Sequence, residues 1–133
     1  MDRLTLALLT FDVGVPAATP DAFADRVCAQ VREAWDDGAD LVVLPEFLWM
    51  GLEPFVAGED KLRGVAQLFW TDLWPRISPR LAQADKGVVL GTVPFLGADG
   101  QLRNRAPIWD GVAFRHQDKL HLTPWESAFV GGD

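Results

Sequence analysis

Cysteine, long apolar runs and clustered basic residues are all scarce in this 133-residue sequence. Its single cysteine, Cys28, excludes an intrachain disulfide and a CxxC metal or redox pair. No window reaches the roughly 18 consecutive apolar residues of a membrane span, and the N-terminus has no cleavage site of the secretory type. The sequence therefore predicts a cytoplasmic protein without a membrane partner.

The charge balance is acidic, with 12 Lys and Arg against 19 Asp and Glu and a net charge of −7. Phosphate binding needs clustered basic residues, and these are scattered, so no nucleic-acid partner is expected. The two histidines, His116 and His121, lack cysteine partners and helical i, i+4 spacing, so no zinc site is expected either. With 49% hydrophobic residues, the chain fits one domain. The protein classes that these exclusions leave are an acidic enzyme and an acidic binding domain.

The first part of the sequence predicts a β-α-β unit. Residues 4–11 are apolar enough for a buried strand, and residues 41–44 form a second apolar run bounded by glycine and proline. Between them, Thr19 is a candidate N-cap, Pro20 suits the first helical turn, and Gly38 suits the helix end. The apolar residues of this predicted helix share one face, as expected of a crossover that packs on a sheet.

The second part predicts more helix and then a meander. A helical pattern begins near residue 62 and is expected to end at Trp74-Pro75, with a short helical continuation over residues 78–84. Residues 87–95 predict a third strand. Two hairpin-type dipeptides, Asp99-Gly100 and Asp110-Gly111, then bracket a further strand and precede another.

Glu46 lies where the second predicted strand stops. Ligands of open α/β sheets bind at the carboxyl ends of the strands, so an acid at this position is a candidate general base. The alternative is a solvated loop carboxylate, which is the usual fate of an acid at a strand end. The segment KLHLTPWE, residues 119–126, adds a cation, Lys119, and a further acid, Glu126, each of which also has a solvated alternative.

Four segments in order carry a family resemblance: ADLVVLPEF, VVLGTVPF, DGQLRNRAPIWDG and KLHLTPWE. Together they resemble the N-terminal half of a carbon-nitrogen hydrolase of the nitrilase superfamily. The resemblance covers nearly the whole chain. It implies an α/β fold, the first half of an α-β-β-α sandwich, with residues 1–133 as the N-terminal portion of the hydrolase domain.

The resemblance also implies roles for single residues. Glu46 matches the general base, Lys119 matches the lysine that stabilises the oxyanion, and Glu126 is close to a second glutamate that positions substrate or lysine. The family's cysteine nucleophile follows the lysine by some tens of residues and has no counterpart here. Cys28 lies within the first predicted helix and is interpreted as a small buried hydrophobe, so the 133 residues alone are expected to be inactive.

The implied substrate is a small-molecule amide or nitrile, with amides favoured because they are the commoner substrates of the family. The resemblance further implies a homo-oligomer and no metal or organic cofactor. Two alternatives from other classes remain open: a non-catalytic relic that serves as an interaction domain, and a small-ligand-binding α/β domain. No G-x-G-x-x-G motif follows the first predicted strand, which weakens the hypothesis that a ligand-binding domain of this kind binds nucleotides. Phe47, Trp49 and Met50 directly follow Glu46 and are candidates for a pocket wall.

Overall fold

The computed structural model describes residues 4–10 and 17–118, and it consists of one sheet with helices on one face. The strands are β1 (Leu6–Leu8), β2 (Leu41–Val43), β3 (Gly87–Val89), β4 (Val93–Leu96), β5 (Leu102–Trp109) and β6 (Phe114–Asp118). The helical segments are α1 (Pro20–Asp36), a 3-10 helix (Leu48–Phe55), α2 (Lys61–Gln67), a π-helix (Leu68–Leu73) and α3 (Trp74–Leu81). No helix in these residues is long and apolar enough to cross a membrane.

The sheet is mixed. Strands β1, β2 and β3 are parallel neighbours, whereas β5 runs antiparallel to β3, β4 and β6. Both hairpins lie at the predicted dipeptides, since β4 meets β5 around Asp99-Gly100 and β5 meets β6 around Asp110-Gly111. The alternating first half and the three-stranded meander are thus confirmed, and so is the α/β fold class.

Helix α1 has the predicted boundaries. The Thr19 hydroxyl accepts a hydrogen bond from the Ala22 backbone N–H at 3.0 Å, which satisfies one of the donors left free at a helix start. Pro20 is the first helical residue, and Gly38 takes a φ of 110° just past the end. Cys28 lies on the buried face of this helix with no exposed surface, as predicted.

The second helical region differs from the prediction, because neither Trp74-Pro75 nor Ser78-Pro79 interrupts it. A π-helix precedes Pro75, and the Trp74 N–H donates to the Phe69 carbonyl five residues back. A widened turn accommodates a proline, whose missing N–H would otherwise break the regular i to i−4 pattern. The helical path therefore runs on without a break to Leu81. The expected end at Trp74-Pro75 is wrong, whereas the short continuation predicted over residues 78–84 is helical as far as Leu81.

The predicted strand over residues 87–95 is divided into β3 and β4 by a bulge. Val89 pairs with Ile108 and Val93 pairs with Arg105, so three residues, 90–92, face the two residues 106–107 of β5. Such an extra residue bends a strand and is common beside functional sites. Gly91, at the centre of the bulge, has a φ of 67°, a conformation that glycine adopts without steric penalty.

One face of the sheet is covered by the helices, and the other is open around β1, β2 and β3. Successive strand residues point to opposite faces, and Val42 and Val88, which pair with each other, are fully buried in the same core as α1. The alternate residues line an open groove of about 440 Å³ that includes Leu41, Val89 and Ile108. At the edge of this open face, Leu8 keeps 71% of its surface exposed.

Candidate active site

Glu46 is exposed and lies three residues after the end of β2, at the carboxyl ends of the parallel strands. Pairing to β3 continues one residue past β2, because the Leu44 N–H donates to the Val89 carbonyl at 2.9 Å. The chain then leaves the sheet at Pro45, which lacks an N–H and cannot extend the ladder. Glu46 is therefore presented at the position where open α/β sheets bind ligands.

The segment that carries Glu46 is held by the bulge between β3 and β4. The Phe47 N–H donates to the Thr92 hydroxyl at 3.0 Å, and the Trp49 indole N–H donates to the Leu90 carbonyl at 2.9 Å in the core. A Cβ on Gly91 would lie 2.2 Å from the Pro45 carbonyl oxygen, so the two backbones touch. All three bulge residues thus contact the chain on either side of Glu46.

Phe47 itself has a φ of 58°, a left-handed conformation that is rare for an aromatic residue. Such a conformation persists only where surrounding contacts impose it, and it is concentrated at functional sites. Here the hydrogen bond to Thr92 and the 3-10 helix that begins at Leu48 impose it. The direction of the chain beside Glu46 is consequently fixed.

A pocket of about 420 Å³ adjoins this segment. Phe47 and Met50 line it, as the sequence predicted, together with Glu53, Pro54 and Lys61. Trp49 does not line it, because its ring is fully buried between Phe23 and Phe69. The prediction that Trp49 walls a pocket is therefore wrong, and this side chain instead fastens the 3-10 helix to the core.

Asn104 was not identified from the sequence. It lies on β5 with only 2% of its surface exposed, and it is the one buried polar residue within residues 4–10 and 17–118. Neither its amide nitrogen nor its amide oxygen has a hydrogen-bond partner in that part of the chain. The only sequence signal is a polar residue in an otherwise apolar alternation, with Leu102 before it and Ala106 after it.

The last described residue of β6 is firmly held. Asp118 pairs with Arg105 in the ladder, and the Arg105 guanidinium contacts its carboxylate with Nε to Oδ1 at 2.7 Å. This hydrogen bond lowers the pKa of the Asp118 carboxyl below its ordinary value. Arg105 also stacks over the Phe95 ring at 3.7 Å from the centroid, so it joins β6 to β4.

Three predicted positions, Lys119, His121 and Glu126, lie outside the described residues. Cys28 is placed as expected, and burial raises the pKa of its thiol above the ordinary value. A buried, protonated thiol is a poor nucleophile. In the described part of the chain, no group of three or more His, Cys, Asp or Glu residues is arranged to hold a metal ion.

Several solved structures share this fold. An amidase from Nesterenkonia sp. AN1 is 18% identical with a TM-score of 0.59, and the match covers 98% of this chain and 50% of that one. A glutamine-dependent NAD+ synthetase from Acinetobacter baumannii is 20% identical with a TM-score of 0.53, covering 85% and 21%. A variant of the Nesterenkonia amidase with one glutamate changed to glutamine and one cysteine to alanine, solved in complex with acrylamide, is 16% identical with a TM-score of 0.57 and coverage of 97% and 48%.

The Nesterenkonia amidase belongs to the nitrilase superfamily, and this chain shares the fold of about half of it. The chain spans about half the length of the amidase structures and about a fifth of the synthetase. Protein-family models and curated protein sequences give no match.

Proposed function

We propose that this chain carries the general base and the oxyanion lysine of a carbon-nitrogen hydrolase that cleaves amides. The observation that supports the proposal most strongly is the placement of Glu46, exposed at the carboxyl end of β2 on a segment that the bulge holds at three residues. A surface carboxylate without a role needs no such support. A general base does, because its oxygen must stay within hydrogen-bond reach of the proton it removes.

Lys119 is proposed as the oxyanion residue. It directly follows Asp118, the last residue of β6. Asp118 pairs with Arg105 on β5, and Arg105 pairs in turn with Val93 on β4, the residue after Thr92. Neighbouring strands are about 4.8 Å apart, so Asp118 lies two strand spacings, about 10 Å, from Val93. Val93 is next to Thr92, which contacts the segment that carries Glu46. Extended lysine and glutamate side chains together span such a distance, which supports a common site.

The proposed chemistry follows from these two groups. Glu46 accepts the proton of a cysteine thiol, the thiolate attacks the amide carbon, and the ammonium of Lys119 stabilises the negative charge on the carbonyl oxygen. Glu46 then gives the proton to the leaving amine and activates water to hydrolyse the thioester. Glu126 is proposed to position the lysine or the substrate.

The nucleophile in this proposal comes from outside the 133 residues. Cys28 is the only cysteine in the sequence, and it is fully buried in the helical layer. The chain is therefore proposed to be the N-terminal portion of a hydrolase domain. The acrylamide bound to the Nesterenkonia variant supports an amide as the substrate class.

The test is to sequence the gene beyond the codon for Asp133, express the full reading frame and measure ammonia release from simple amides. The proposal expects an in-frame continuation with a cysteine, and a loss of about 10²- to 10⁴-fold in kcat/KM for Glu46→Gln. Lys119→Met is expected to lower kcat by about 10²- to 10³-fold. Turnover that is insensitive to Glu46→Gln would contradict the proposal.

The 133-residue chain provides a control. Incubated with the same amides, it is expected to release no ammonia, both as wild type and as Cys28→Ser. Turnover that Cys28→Ser abolishes would make Cys28 the nucleophile and overturn the assignment above. A second candidate function, a non-catalytic interaction domain, is favoured by the open apolar sheet face, and a stop codon directly after Asp133 would support it.

A further inference from the structure

A buried amide on β5 has no partner for either of its polar atoms within residues 4–10 and 17–118. Asn104 is 2% exposed, and its Nδ2 and Oδ1 atoms both lack hydrogen bonds there. Buried polar side chains are nearly always paired, and an unpaired one destabilises the fold. A residue kept in this state points to a group that binds to it and is not among those residues.

The strand pairing shows which face of the sheet Asn104 occupies. Its partner on β4 is Pro94, whereas the next residue, Phe95, packs edge-on against Trp70 of the helical layer with ring centroids 5.5 Å apart. Because neighbours alternate between faces, Pro94 and Asn104 point away from the helices. The pairing partners Pro94 and Asn104 therefore share the face opposite the helices, at a place where both residues are buried.

This face is also the side on which the Glu46 segment is fastened. Thr92 has the same parity as Pro94, and its hydroxyl accepts the N–H of Phe47, the residue after Glu46. Continuing the β4–β5 register by one residue makes Thr92 and Asn104 diagonal neighbours, which lie about 7–8 Å apart in an antiparallel pair. The Asn104 carboxamide is thus about one side-chain length from the segment that carries Glu46, the proposed general base.

The neighbours of Asn104 on its face leave it unpaired. Pro94 lies opposite it on β4, and Leu102 and Ala106 flank it along β5. Gln117, which pairs with Ala106 on β6, donates its Nε2 N–H to the Asp118 carbonyl instead. The missing partner must supply both, because the carboxamide has an NH₂ donor and a carbonyl acceptor. A primary amide supplies both, a nitrile only an acceptor, and a carboxylate only acceptors.

We propose that Asn104 is a substrate-binding residue that pairs with the carboxamide of the substrate beside Glu46 and selects amides over nitriles. Its Nδ2 donates to the substrate carbonyl oxygen, and its Oδ1 accepts from the substrate amide N–H. The proposal rests on the amidase function proposed above. A site built to hydrogen-bond a polar group discriminates strongly against an analogue that lacks it, since its own polar atoms are then left unpaired.

The composition of the chain provides a direct test, because Asn104 is the only asparagine in the sequence. Labelling with [¹⁵N]asparagine therefore gives a single side-chain NH₂ signal pair in an NMR spectrum of the 133-residue chain. We expect propionamide to shift this pair in a saturable manner, and propionitrile and propionate to bind at least tenfold more weakly. Propionamide that leaves the pair unmoved up to its solubility limit, or equal shifts with all three compounds, would overturn the proposal.

A glutamine label supplies the matched control. The sequence has five glutamines, and the pair of NH₂ signals to follow, once assigned, is that of Gln67. Gln67 lines a groove with Trp70 and Phe95 on the helix-covered face, so its signals are expected to stay in place during the same titration. In the full reading frame, Asn104→Asp keeps the shape but removes the donor, and it is expected to raise KM for amides at least tenfold.

The two proposals can fail separately. A propionamide shift at Asn104 together with activity that Glu46→Gln leaves intact would contradict the hydrolase roles and leave the amide site standing. The reverse result is activity that Glu46→Gln abolishes together with Asn104 NH₂ signals that propionamide does not shift. It would contradict the proposed role of Asn104 and leave the hydrolase roles standing.

Discussion

The backbone N–H of Phe47 donates to the side-chain hydroxyl of Thr92 at 3.0 Å, and the two residues are 45 positions apart in the sequence. This hydrogen bond joins the end of β2 to the bulge between β3 and β4. It also accompanies the left-handed conformation of Phe47, which has a φ of 58°. The direction in which Glu46 leaves the sheet thus depends on a threonine in the bulge between two other strands.

Thr92→Val is expected to test this dependence, because valine keeps the shape and removes the acceptor. A hydrogen bond of this kind contributes about 0.5–1.5 kcal/mol to the free energy of unfolding, so a loss of that size is expected in urea denaturation. Thr92→Ser retains an acceptor and is the matched control. Equal stability of wild type and Thr92→Val would show that the hydrogen bond does not hold the segment.

Gly91→Ala is expected to be more damaging than any other glycine-to-alanine change in the loops that the structure describes. Its Cβ would lie 2.2 Å from the Pro45 carbonyl oxygen, in addition to the strain of a φ of 67°. Gly100 has a φ of 81°, and a Cβ there would meet no described atom within 4 Å, so Gly100→Ala isolates the conformational cost of about 1–2 kcal/mol. Denaturation should show a clearly larger loss at Gly91, and equal losses would contradict the close contact.

The ion pair between Arg105 and Asp118 predicts a specific acid sensitivity. The hydrogen bond from Arg105 lowers the pKa of Asp118 in the folded chain, so the carboxylate stabilises the fold above its unfolded pKa of about 3.9. This stabilisation is lost as the pH falls through the lower, folded pKa. Asp118→Asn should therefore be less stable than wild type at neutral pH, and the difference should shrink below about pH 4. A difference that does not change with pH would argue against the shift.

The open sheet face predicts self-association of the 133-residue chain. Leu8 is 71% exposed and Leu6 is 51% exposed, and large contiguous apolar patches promote association. Leu8→Glu should shift the chain toward monomer in sedimentation velocity at micromolar concentration. Ala57→Glu adds the same charge after the 3-10 helix and should have no such effect. A wild-type chain that sediments as a clean monomer would contradict the prediction.

Local signals were sufficient for part of the fold. Helix α1 begins at Pro20 and ends at Asp36 because Thr19 caps it and Gly38 allows the chain to turn, and both effects act within a few residues. The hairpins at Asp99-Gly100 and Asp110-Gly111 are local in the same sense. These elements were therefore predictable without any knowledge of the tertiary structure.

The features around Glu46 depend on distant contacts and were not predictable in detail. The bulge at Gly91 follows from the approach of Pro45, and the helix continues through Pro75 because a π-helix precedes it. Asn104 gave no sequence signal strong enough to be identified, since its significance lies in its burial, which only the assembled sheet reveals. The position of Glu46 at a strand end was predicted, but the contacts that hold it were not.

The proposed hydrolase chemistry requires Glu46 and Lys119 to meet in one site. A carbodiimide activates a carboxylate and joins it directly to a lysine amine, releasing urea, only when the two groups are in contact. The coupled peptides of the 133-residue chain are then identified by mass spectrometry. A Glu46–Lys119 isopeptide is expected in the wild-type chain, and it should disappear in Glu46→Gln and in Lys119→Arg. Lys119 coupled to other carboxylates, with no Glu46–Lys119 product in the wild-type chain, would contradict the proposed chemistry.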